Sequence, residues 1–118
     1  MKTILNIGLA RNDGAPDNGV LHVVVKLNQF GFRLKAGEVH EVTHALGTER
    51  TLVVEVHPRN DTRTTRASVY RLSVELAQDC IAVGYVDDQG NVIDGELVGP
   101  NAVDWGTFDP DYFVKLSA

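Results

Sequence analysis

Residues 40–44 read His-Glu-Val-Thr-His, the H-E-x-x-H pattern. On a helix, residues four apart share one face, so His40 and His44 would both reach one metal ion. Imidazole nitrogens suit zinc, and Glu41 between them would take a proton from a zinc-bound water. The chemistry would be zinc-assisted hydrolysis. It needs a third protein ligand, for which His57 and Glu75 are the downstream candidates.

That chemistry stands only if a helix positions it. Val39, Val42 and Leu46 give a helical apolar stripe, and Gly47 would close the helix. The nine residues 39–47 resemble the active-site helix of zinc proteases. Against this, Gly37 interrupts the start, and Val39, Val42 and Thr43 are mediocre helix formers. The metzincin extension needs a histidine where Arg50 stands. The weight of these residues falls on a strand or connecting segment over 38–46 with exposed histidines. It falls against an enzyme and against a bound cofactor, zinc being the alternative.

Other reactive side chains read as structural. His22 and His57 have no local partner pattern and are expected on the surface. Cys80 follows Asp79, whose charge would raise the thiol pKa, so a buried core role is expected. Asp87, Asp88 and Asp94 lack EF-hand spacing and read as an acidic hairpin tip.

The chain has 118 residues, 43% hydrophobic and 23% charged, which suits one globular domain. No run of 18 or more apolar residues is present, so no membrane is expected. The first residues read as a strand rather than a signal peptide, and the lone cysteine points to a cytoplasmic setting. A net charge of −5 makes nucleic acid an unfavoured partner. Arg59, Arg63, Arg66 and Arg71 form a basic segment, whereas residues 79–111 carry acids and no Lys or Arg. Solvated faces are the plain reading, and a charged docking surface the functional one.

Periodicity supplies the elements. Ile4, Leu5, Ile7 and Leu9 suit a first strand. Val20, Val24 and Leu27 predict a helix over 20–30, with Asp17 or Asn18 capping its start and Gly31 ending it. A strand is expected to begin near Phe32, and Thr51–Val56 to form a central one. Thr62–Gln78 predicts a second helix, capped by Asp61, burying Val69, Leu72, Leu76 and Ala77. Cys80–Val86 and Val92–Val98 predict a hairpin around Asp87–Asn91. The expected fold is α+β: a ferredoxin-like β-α-β-β-α-β plait with an added C-terminal hairpin strand and an aromatic tail. Residues 1–118 form a single domain in this reading, with a core over about 1–98 and a C-terminal arm over about 99–118.

The arm holds Trp105, Phe108, Tyr112 and Phe113, four of the eight aromatics. One role is to fold back and cover the open sheet face. Another is a docking surface made of Trp105, Phe108, Tyr112 and Phe113 with Asp104 and Asp109, meeting a protein partner or a second copy in a homo-oligomer.

Thr48–Val56, Gln78–Val83, Leu97–Pro100, Trp105-Gly106 and Phe108-Asp109-Pro110 resemble segments of small proteins carried on bacterial plasmids and phages. The resemblance covers about a third of the chain. It implies an accessory protein of a mobile element, and one class of these inhibits host defence by binding, as anti-CRISPR proteins do. Two readings stand beside it: the zinc-dependent hydrolase above, and a small-molecule-binding regulatory module.

Overall fold

Alternation along the strands sets the architecture. In β1 (Lys2–Gly8), Leu5 and Ile7 bury on one face of a sheet while Ile4 buries on the other. The same division separates Leu52, Val54 and Val56 from Val53 in β3 (Gly47–Val56). The computed structural model describes residues 1–44, 47–57 and 61–117. Ala45 and Leu46 of the zincin-like string and Arg59 of the basic segment lie outside the described residues.

Among the described residues the sheet has five strands, all antiparallel, in the order β2-β3-β1-β4-β5, with β2 spanning Leu34–His44, β4 Ile81–Val86 and β5 Val92–Val98. Thr51–Val56 is central, as its apolar run requires, because β3 lies between β2 and β1. Two irregularities re-aim side chains. One, at Lys35, breaks the register of the outer strand β2. The other skips Ile93, which turns Val92 to one face and Val98 to the other.

Two helices cover one face. α1 (Val20–Gln29) forms despite three consecutive valines because Val23 and Leu27 reach the core from one helical stripe. Its expected side-chain cap is absent: Gly19 is the N-cap, and Asn18 is used elsewhere. Asn18 Nδ2 donates to the Leu76 carbonyl at 2.8 Å, and its Oδ1 accepts from Arg11 Nη1 at 2.9 Å. The loop is thereby tied to the end of the other helix. Gly31, at φ +86°, follows α1 as expected.

α2 (Thr62–Glu75) is capped by Asp61, whose carboxylate accepts from the Thr64 N–H at 2.7 Å. Val69, Leu72 and Leu76 bury, but Ala77 does not extend the helix. It sits at φ +50°, its N–H donating to Val74 O and that of Gln78 to Ser73 O. This is a Schellman ending with alanine in the place glycine favours. Arg71 lies over the Phe30 ring at 5.1 Å and Lys26 pairs with Glu75 at 3.6 Å, joining the helices at their outer seam.

Candidate functional site

The C-terminal arm lies on part of the opposite sheet face. Gly84 and Gly95 are direct cross-strand partners in β4 and β5. A side chain on Gly84 would collide with the Phe113 ring, and one on Gly95 with the Phe108 ring. The two glycines thus form a bare saddle that seats two aromatic rings, whose centroids are 5.3 Å apart. Phe113 packs with Ile4, Val53 and Val86 as a second core, with Phe108, Val114 and Leu116 against it.

The arm satisfies part of its backbone in its own turns, and side chains of the sheet serve the extended stretch at Val114 and Ser117. Asn6 Nδ2 donates to the Val114 carbonyl and Asn6 Oδ1 accepts from the Val114 N–H, both at 2.8 Å. Glu38 accepts from the Ser117 N–H at 2.6 Å and from His40 Nε2 at 2.7 Å. Those bonds, the one from Ser117 first, hold the Glu38 carboxyl below its ordinary pKa. Lys115 Nζ donates to the Gly90 carbonyl at 2.6 Å and fixes the arm to the hairpin tip.

The arm covers only part of the face. The rest is a groove of about 500 Å3, and a second hollow of about 300 Å3 by the arm shares Asn6, Cys80, Ala82, Leu97, Trp105 and Tyr112 with it. Asn6 and Gly8 of β1, Glu49 and Thr51 of β3 and Ala82 of β4 line its floor; Asp79, Cys80, Trp105 and Tyr112 form its walls. Trp105 is 47% exposed and Tyr112 81%. Their rings therefore rim the groove while Phe108 and Phe113 anchor the same segment.

Asp79 fixes that rim. Its Oδ1 accepts from Asn12 Nδ2 at 2.8 Å and Asn101 Nδ2 at 3.0 Å, and its Oδ2 accepts from Trp105 Nε1 at 3.0 Å. These bonds, Asn12's first, hold the Asp79 carboxyl below its ordinary pKa. Gly99 is needed alongside, since a side chain there would strike the Asp79 and Cys80 backbone. Cys80 is half-buried in the groove rather than a core residue. Burial first, then the charges of Asp79 and Glu49, push its thiol up to about 11.

The zincin-like residues fall elsewhere. His40, Glu41 and His44 lie in β2, paired along β3, so the helix that the hydrolase reading needs is a hairpin strand. Four residues of strand span roughly 13 Å, against about 6 Å for a helical turn of four, so His40 and His44 are too far apart along the backbone to share one ion. Glu41 sits opposite Arg50 on the alternate side of the strand from His40. His57 is exposed at the far end of β3, and Glu75 is exposed at the end of α2 beside Lys26. Among the described residues, no three His, Cys, Asp or Glu side chains gather as a metal set. Of the expected docking residues, the arm brings Trp105, Tyr112, Asp104 and Asp109 to the surface, and Phe108 and Phe113 to the sheet. Asp87 serves the hairpin tip, accepting from the N–H groups of Gln89 and Asn91 at 2.9 Å. Arg66 of the basic segment meets Glu96 of β5 at 2.9 Å, on the helix face.

The site residues that reasoning from sequence missed include Asn6, Glu38, Glu49, Asp79, Gly84 and Gly95. An asparagine inside an apolar strand and two glycines inside strand patterns were the available signals.

No helix among the described residues is long and apolar enough to cross a membrane. No protein-family model, no curated protein and no solved structure matches this chain.

Proposed function

We propose that the chain is a non-catalytic binding protein that takes a protein partner at the groove rimmed by Trp105 and Tyr112. The observation that carries this is the division of labour within one arm. Two rings are spent on holding the segment to the sheet, and two others stand exposed at the mouth of a concave surface. Exposed aromatics beside a hollow suit the anchor residues of interfaces. The groove chemistry also suits binding: a thiol pushed up to about 11 stays protonated at neutral pH, and Asp79 is committed to three donors. The reading extends to the fold, proposed as a ferredoxin-like plait with one extra edge strand. Its support is that each β-α-β unit, β1-α1-β2 and β3-α2-β4, straddles one intervening strand. An accessory role in a mobile element, host-defence inhibition included, is one setting for such a protein.

Phe108 holds the arm, so the informative variant is Trp105→Ala with Tyr112→Ala. Affinity capture with the wild type and this variant, both shown folded by thermal melts, tests the proposal. A partner retained by the wild type and lost by the variant is expected; one retained equally by both would sink it. The groove volume also lies in the range of small-ligand sites, which keeps a sensor role as a second reading. That reading predicts a ligand-dependent rise in melting temperature.

A further inference from the structure

We propose that the outer edge of β2 is an interface with a second copy of this chain, the two strands pairing antiparallel about a two-fold axis at Val39. This goes beyond the groove and its partner and does not rest on them.

β2 is an outer strand, and among the described residues no backbone group pairs with its far side. The phase of that edge follows from β3. In an antiparallel ladder a residue turns its N–H and C=O to the same neighbour, and successive residues alternate. The Arg50 carbonyl accepts from the Leu9 N–H at 2.9 Å, on the β1 side. Its register partner Glu41 therefore turns both groups away from β3, and by alternation so do Val39 and Gly37. Register runs unbroken from Ala36 to His44, without proline or bulge, so this stretch is a regular template for another strand. β5, the other edge, is shorter and irregular at Ile93, and its own charged residues, Asp94 and Glu96, are both acidic.

The sequence of β2 is complementary to itself about one point. With the axis at Val39, Glu38 faces His40 of the second copy, Gly37 faces Glu41, and the two exposed Val39 side chains meet. An axis at Glu38 or at Glu41 sets like charges opposite each other. One at His40 sets imidazole against imidazole and Val39 against Glu41. The flank of α1 agrees. Lys26 and Phe30 face α2, and α2 lies against β4 and β5, so the opposite side of α1 looks to the β2 edge. That side carries the exposed Leu21 and Val25. The two-fold axis turns these apolar flanks toward each other and joins two five-stranded sheets into one.

Sedimentation equilibrium of the full chain is expected to show a dimer at high micromolar concentration. Val39→Pro removes an N–H that β3 does not use and is expected to give a folded monomer. Val39→Lys, which sets two ammonium groups opposite each other, is expected to raise the dimer dissociation constant roughly fivefold, most strongly at low salt. With Cys80→Ser as background, Val39→Cys is expected to be joined between copies by a short bis-maleimide, and Ile93→Cys on β5 is not. A monomer at every concentration overturns the proposal. So does a dimer whose dissociation constant Val39→Lys leaves unchanged, and this variant decides alone if Val39→Pro loses its helical circular dichroism. Joining through Ile93→Cys in preference to Val39→Cys moves the interface to β5 and overturns the assignment to β2.

Discussion

On one side of the sheet, α1 and α2 press Val23, Leu27, Val69, Leu72 and Leu76 onto Leu5, Ile7, Leu52, Val54 and Val83 in one continuous core. On the other, an irregular arm sets down Phe108 and Phe113 and is clipped by Asn6, Glu38 and Gly90. Helices satisfy their own backbone groups and need only an apolar stripe to dock. Beyond its own turns the arm borrows hydrogen bonds from sheet side chains at Val114 and Ser117, and it is held down where such partners stand. The uncovered remainder is the groove. Coverage by irregular chain therefore leaves a site, whereas coverage by helices leaves a sealed core.

Substitutions can break this contrast at either face. Leu72→Ala, under the helices, is expected to cost about 2–5 kcal/mol and to lower the midpoint of a single cooperative urea transition. Gly84→Ala is expected to cost about 1–3 kcal/mol by displacing Phe113 from its saddle. Its signature is local: Trp105 emission shifts and the arm becomes protease-sensitive while helical circular dichroism persists. If Gly84→Ala lost the helices together with the arm, the two faces would be one cooperative unit and the contrast would fail.

Acid should act on the arm face first. Glu38 and Asp79 both have folded pKa values below their ordinary ones. Their contribution is full above the unfolded carboxylate range near about 4 and is lost as pH falls through the depressed folded values. Trp105 emission is expected to change in that window ahead of far-ultraviolet dichroism. Coincident changes would contradict it. The smallest effect is a gain on the helix side. Ala77→Gly should stabilise by about 1 kcal/mol, since it relieves a left-handed alanine in the turn after α2. A higher thermal midpoint with unchanged Trp105 emission would check it.

How much of this was readable beforehand depends on the range of the signal. Asp61, the stripe Val69-Leu72-Leu76 and the run Thr51–Val56 are local patterns, and each gives the element it predicts. Asn18 misled because its side chain answers a residue 58 positions away, not the helix beside it. His40 and His44 left two readings because spacing alone is silent on period: the same five residues serve a helix or a strand, and Gly37, Arg50 and the poor helix formers already favoured the strand that pairing with β3 forms. The arm's return was legible from its four aromatics. Its seat was not, since Gly84 and Gly95 become one surface only when β4 and β5 pair.

The bond between Asn6 and Val114 closes a separation of 108 residues. Closing such a loop has a large entropic cost, which is recovered only once its landing surface exists. The saddle needs the β4–β5 hairpin, and Asn6 needs β1 placed between its neighbours. Docking of the arm is therefore expected to be the last event in folding. A ribosome-bound or truncated chain lacking Trp105 and Tyr112 can assemble the sheet yet present no rimmed groove. The rimmed groove is in effect a mark of the assembled sheet, present only on molecules in which the arm has docked.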